Sequence, residues 1–244
     1  MNELALHIQN GVLDAPVSLG YAVLAAVTFG FCVVRGRRDL DDRLAPMAGL
    51  VAAFIFAVQM LNFPVLPGVS GHLVGGALAA LLVGPWVGAL CVSVVLIVQA
   101  LVFADGGVTA IGPNVTNMAL VGTAAAYALI ALLLRVLPRT PTGLAVTAFA
   151  ASVVSVVAAS LSFVVQYALG GTTRLESYGL GEIAMAMAGT HTLIGIGEGL
   201  IAATTVVTVA RTRPDLVYAL RGLRRDAVAP PAPARPVPTP GGVA

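Results

Sequence analysis

Three histidines, His7, His72 and His191, are the residues in this chain best suited to hold a metal ion. Imidazole is the commonest protein ligand for transition metals and binds in its neutral form. Glu198 lies seven positions after His191, which puts the two on one face of a helix. An acid inside an apolar stretch is costly in lipid, so Glu198 is there either to make a structural hydrogen bond or to act as a ligand. Asn62, Ser70, Asn114 and Asn117 stand in polar connections, where they can orient a ligand or serve as ordinary turn and cap residues. Gln59, Gln99 and Gln166 read as hydrogen-bonding residues between helices. The chain has no Walker loop, Gly-x-Ser-x-Gly, His-Glu-x-x-His or Cys-x-x-Cys motif. Uphill movement of a solute would therefore draw on a partner or an ion gradient.

The elements that position these residues are membrane spans. Of 244 residues, 58% are hydrophobic and 10% charged, and mean hydropathy is +0.96. A soluble domain carries about 25% charged residues. Apolar runs long enough to cross roughly 30 Å of hydrocarbon follow one another, without the alternation of a β-barrel. Cys32 and Cys91 both lie in such runs and serve as small apolar residues, so a disulfide-built secreted fold is excluded. The sequence predicts an all-α, polytopic bundle of about seven transmembrane helices, at 17–34, 44–63, 72–83, 85–103, 118–137, 143–169 and 183–209. The fourth begins at Gly84-Pro85, where proline ends the preceding helix. The third is too short to face lipid along its length and belongs inside the bundle. Residues 105–117 read as a loop.

All thirteen basic residues are arginine. With the Arg-Gly-Arg-Arg turn at 35–38 in the cytoplasm, alternation places twelve of them inside and Arg174 alone outside. The N-terminus then faces out, the C-terminus is cytoplasmic, and all three histidines fall at the outer boundary. The juxtamembrane arginines follow the positive-inside rule and do not form a nucleic-acid patch. Three parts are expected: 1–16 as an N-terminal segment without signal-peptide character, 17–210 as the transmembrane domain, and 211–244 as a cytoplasmic tail. The tail is rich in Arg, then in Pro and Ala, and is expected to be disordered after about 226. His72 follows the constrained turn 62–71 and is expected at the start of a short inward helix, whose N-terminus disfavours a protonated imidazole. His7 lies in an irregular segment, where the residues alone leave loop and ligand equally open.

Several ordered fragments together resemble one family. They are His-Ile-x-x-Gly-x-Leu at 7–13, Gln-Met-Leu-Asn-Phe-Pro-Val at 59–65, Ser-Gly-His-Leu-Val-Gly-Gly at 70–76 and Gly-Pro-Trp at 84–86. Gln-Ala-Leu at 99–101, Asp-Gly-Gly-Val-Thr-Ala-Ile-Gly-Pro-Asn at 105–114 and Gly-Ile-Gly-Glu-Gly at 195–199 complete the set. Over about 6–225 the chain is similar to the CbiM/NikM family, the substrate-binding membrane components of cobalt and nickel energy-coupling-factor (ECF) transporters. The resemblance implies seven helices, with the N-terminal segment tucked into the bundle from outside to form the metal site. It implies no enzymatic activity and no catalytic cofactor, with Ni²⁺ or Co²⁺ as the transported ion. The implied partners are a transmembrane coupling (T) protein, cytoplasmic ATPases and a small accessory membrane subunit, in a bacterial plasma membrane.

In that family the histidine directly follows the initiator methionine. The terminal amine, the histidine's own backbone nitrogen and two imidazoles make a planar four-nitrogen site. Carried over, the imidazoles are His7 and His72, while Asn62, Ser70, Asn114, Asn117 and His191 are candidates for the surrounding shell. Four planar nitrogens suit Ni²⁺, whereas Zn²⁺ prefers a tetrahedron. This sequence departs from the pattern by placing residues 1–6 before His7, and by Gln9 and Asn10 where the family commonly has proline and an acid. The expectation is that the mature chain opens at residue 6, either through a leucine codon read as initiating methionine or through proteolytic trimming. The alternatives are a membrane-embedded metalloenzyme using His72, His191 and Glu198, and a secondary transporter with Glu198 as proton carrier.

Overall fold

The computed structural model describes residues 7–42, 44–60, 62–66, 69–172 and 178–221. Among them are seven α-helices: α1 Ala15–Gly36, α2 Leu44–Gln59, α3 Gly76–Val83, α4 Pro85–Val102, α5 Val108–Val136, α6 Pro141–Gly170 and α7 Leu180–Thr212. A hairpin of β1 Asn62–Leu66 and β2 Val69–His72 joins α2 to α3. Expectations for residues 1–6, for Arg174 and for the tail beyond 221 fall outside the described residues.

Local chemistry explains where the helices start. Asp14 caps α1 by accepting from the Val17 N–H at 2.8 Å, with Pro16 in the first turn. Thr140 caps α6 through the Gly143 N–H, with Pro141 in the first turn. A side-chain cap stabilises a helix by about 1 kcal/mol, and proline in the first turn forfeits no helical hydrogen bond. Five helices, α1 and α4 to α7, are long and apolar enough to cross a membrane. All eight residues of α3 are buried, as expected for a helix that is apolar all round. By contrast, α1 turns Leu19, Val23, Val27 and Val34 outward. The core forms around α3, where Ala77, Leu81 and Val83 meet Ile55, Val92, Ala148 and Val206.

Three expectations are corrected. The second span was expected over 44–63, but α2 ends at Gln59. Pro64 has no N–H to continue a helix, and the chain forms a hairpin instead, pairing Asn62 with His72 and Phe63 with Gly71. His72 consequently ends a strand, four residues before α3, and does not sit at a helix start. The loop expected over 105–117 is largely helical. After a short 3₁₀ turn, α5 runs through Ile111–Asn114 and a π-helical stretch Val115–Gly122 into Thr123–Val136. Pro113 is tolerated there because it falls in the first α-turn. Asn114 and Asn117 are therefore buried helical residues, not loop residues.

Candidate metal centre

The N-terminal segment is fastened across one end of the bundle. Asn114 accepts from the Ile8 N–H at 3.1 Å and donates through Nδ2 to the Ile8 carbonyl at 3.3 Å. The Gly107 N–H donates to the same carbonyl at 2.9 Å. Asn10 Oδ1 accepts from the Thr109 N–H and hydroxyl at 3.0 and 2.8 Å. Beyond the turn at Gly11, the Thr172 N–H donates to the Val12 carbonyl and the Asp14 N–H to the Gly170 carbonyl. Val12 packs with Phe163, Val164, Ile183 and Met187, wedging the segment between the ends of α6 and α7. The Asp105-Gly106-Gly107 loop allows this approach because it carries no β-carbons after Asp105. Gly106 has φ +95°, and a β-carbon there would come within 2.8 Å of the His7 Cβ. At Gly107 a β-carbon would collide with the backbone of Gln9 and Asn10.

The clamp brings His7 onto His72. Their ring centroids are 4.4 Å apart with the planes inclined by 55°, and both residues are buried, at 9% and 6% exposed. The His72 Nδ1–H donates to the Leu73 carbonyl at 2.8 Å, so the lone pair of the neutral ring is on Nε2. His7 Nδ1 lies 3.2 Å from Asp105 Oδ1, an ion-pair distance when the ring is protonated but without the alignment of a hydrogen bond. Among the described residues both ring nitrogens of His7, Nδ1 and Nε2, are buried without a hydrogen-bond partner. An unsatisfied buried polar atom costs about 1–3 kcal/mol, a cost that a bound cation would offset.

A cavity of about 70 Å³ adjoins these rings, and its wall includes His7, His72, Asn114, Asn117 and His191. That is room for one metal ion and a water or two. Asn117 is tied to α6. Its Nδ2 donates to Gln166 Oε1 at 2.8 Å, and Gln166 donates in turn to the Pro113 carbonyl, locking α5 to α6. His191 shares the cavity wall, and its Nδ1–H donates to the Met187 carbonyl at 2.8 Å. Its ring lies against β2, where a β-carbon at Gly71 would be 2.9 Å from His191 Nε2. Among the described residues no group of three or more His, Cys, Asp or Glu side chains is spaced to hold one ion. Two imidazoles converge, and His191 supports the strand that carries one of them.

Glu198 is absent from the cavity wall. Its Oε2 accepts from the Val74 N–H at 2.6 Å, just before α3. Gln59 donates to the Val74 carbonyl at 2.9 Å. The peptide groups between β2 and α3 thus find partners on α2 and α7, which fixes the strand that ends in His72. Asn62 and Ser70 are placed by backbone alone, at register positions opposite His72 and Pro64. The residues that sequence reasoning did not nominate are Asp105, Asn10, Thr109 and Thr172. For Asp105 the available signal was an acid followed by two glycines, which marks a turn that another backbone can approach closely.

A profile of the family described as the cobalt uptake substrate-specific transmembrane region, CbiM, matches residues 7–216. A fused nickel transport protein NikMN of Rhodobacter capsulatus is 35% identical over 240 residues, covering 94% of this chain and 67% of that protein. A cobalt transport protein CbiM of Sorangium cellulosum is 31% identical over 224 residues, covering 90% and 97%. The crystal structure of a truncated transition metal transporter superposes with a TM-score of 0.74 at 25% identity, covering 84% of this chain and 98% of that one. The matched span opens at His7 and takes in His72 and His191.

Proposed function

The chain belongs to the CbiM family of cobalt-uptake substrate-specific transmembrane regions, and from that premise we propose that His7 and His72 take up Ni²⁺ or Co²⁺ at the outer face for import by an ECF transporter. At the coarser level the chain is a multi-pass membrane protein and a cobalt/nickel transport component of CbiM/NikM type. The observation that carries the finer reading is the contact of two buried imidazoles, one of them on a segment that is otherwise irregular. His72 offers Nε2. His7 can close a chelate ring through its backbone nitrogen and Nδ1, the ring nitrogen that lies 3.2 Å from Asp105. A terminal amine directly before His7 would supply the fourth nitrogen of a planar set that suits Ni²⁺ and also accommodates Co²⁺. This is the reason to expect a mature terminus at residue 6. Asn114 and Gly107 hold the segment in place without touching the metal.

The proposal extends to the assembly. Energy comes from cytoplasmic ATPases through a transmembrane coupling protein, with a small accessory membrane subunit, in the bacterial plasma membrane. The N-terminal segment faces outward and the tail from 211 is cytoplasmic. The metalloenzyme and proton-carrier alternatives both require Glu198, and its engagement with the α3 entrance favours the transport reading.

Two experiments test this. Cells producing the chain together with the coupling protein and ATPases are expected to accumulate ⁶³Ni²⁺ or ⁵⁷Co²⁺, and cells producing a hydrolysis-dead ATPase are not. Accumulation independent of the ATPase would contradict coupling. Single cysteines at positions 174 and 37 are expected to react with an impermeant thiol reagent from outside and only from inside, respectively. The reverse pattern would overturn the orientation and the outward-facing site.

A further inference from the structure

The opposite end of the bundle holds a second cavity, of about 440 Å³, whose wall includes Arg135 from the last turn of α5, Arg139 from the α5–α6 connection, Arg221, Tyr127, Tyr218 and Asp39. Three guanidiniums against one carboxylate leave a local charge of +2 (three minus one). Among the described residues the ion pairs are His7–Asp105 and Arg213–Asp215, so none of these three arginines is ion-paired with a described carboxylate. Like charges gathered around one concavity repel one another and draw an anion into it.

The wall is also structurally set. The Tyr218 ring packs on the α3–α4 junction, where a β-carbon at Gly84 would come within 2.8 Å of it, and the Arg221 guanidinium lies over that ring at 5.4 Å. Tyr127 stands on the same wall as Tyr218. Burial, more than any neighbouring charge, pushes the Tyr218 hydroxyl above its ordinary value, so it stays protonated and able to donate. Beside the cavity, α5 turns Leu132 and Val136 outward, at 55% and 71% exposed, within one turn of Arg135. A ligand with its anionic group in the cavity can therefore lay an apolar chain along α5.

We infer that this cavity binds the phosphate of an anionic phospholipid, with Arg135, Arg139 and Arg221 around the phosphate oxygens and an acyl chain against Leu132 and Val136. Arginine suits this role because its planar fork matches two phosphate oxygens at once. Basic recesses between helices at a membrane boundary are general binding sites for anionic headgroups. Phosphate is the chemistry recognised, and the apolar flank of α5 assigns its source to lipid.

The test uses the full chain in phosphatidylcholine nanodiscs, with phosphatidylglycerol titrated in and binding read from thermal unfolding and from lipid retained in native mass spectrometry. Phosphatidylglycerol is expected to stabilise the wild type in a saturable way. The triple variant R135Q/R139Q/R221Q should bind it roughly 100-fold more weakly, and the exposed single variants R135Q and R139Q roughly fivefold more weakly. The variant R37Q/R38Q, altered at the same end but outside the cavity, should stay within about twofold of wild type. Unchanged Ni²⁺ binding by each variant verifies that the fold is intact. Equal weakening in R37Q/R38Q, or no preference over phosphatidylcholine in the wild type, would overturn the site. Displacement of phosphatidylglycerol by inorganic phosphate at comparable concentration would overturn the lipid assignment.

Discussion

At the histidine end, an irregular segment is held by hydrogen bonds to two loops and an asparagine, and polar atoms are buried around a small cavity. At the arginine end, the polar groups are mostly exposed, the cavity is larger, and three guanidiniums gather around one carboxylate. The first arrangement suits a small cation that must shed water and be bound by directed lone pairs. The second suits a large anion met at a boundary, where charge matters more than direction. The core around α3 separates the two, so each end can be altered without disturbing the other.

Substitutions that break one end and spare the other sharpen this comparison. The largest effect is expected from His72→Ala, which removes a ligand and no helix packing. Ni²⁺ affinity measured by calorimetric titration should fall by more than 100-fold while the unfolding temperature stays within a few degrees. His191→Ala should cost far less, since that ring supports β2, and equal losses would place His191 among the ligands. Next is Gly107→Val, whose side chain would collide with the Gln9 and Asn10 backbone and lift the segment that carries His7. Affinity should fall about 10–100-fold, the range seen when support around a metal site is lost, and limited proteolysis should cut near residue 10. Asn114→Leu, which removes both hydrogen bonds to Ile8, should cost about tenfold by the same titration. Glu198→Ala strands the Val74 N–H and is expected to lower stability by about 1–3 kcal/mol, read from denaturant unfolding, with a smaller effect on affinity. R135Q/R139Q should leave metal affinity unchanged.

The spans were legible in the sequence because lipid exposure imposes continuous apolar runs. α1, α4 and α6 start and end within two residues of expectation. The burial of α3 followed from its length. The hairpin at 62–72 was not legible because a helix pattern and a proline-rich turn meet there. The pairing that resolves them needs His72 opposite Asn62, a contact local periodicity does not encode. The early start of α5 was hidden by glycine, proline and asparagine, which read as loop until α1 packs against Gly112. For the site, His72 stood out by residue type and motif. The place of His7 depends on contacts about 100 residues away, with Gly107, Thr109 and Asn114, so only the family resemblance pointed to it. Asp105 and Thr172 escaped notice for the same reason.

X-ray absorption at the nickel edge of the loaded, full-length protein tests the central claim most directly, because it counts imidazoles bound to the ion. Two imidazoles with only nitrogen or oxygen in the remaining positions are predicted for the wild type, one for His72→Ala, and two for His191→Ala. Three imidazoles in the wild type, or two persisting in His72→Ala, would contradict the site built from His7 and His72.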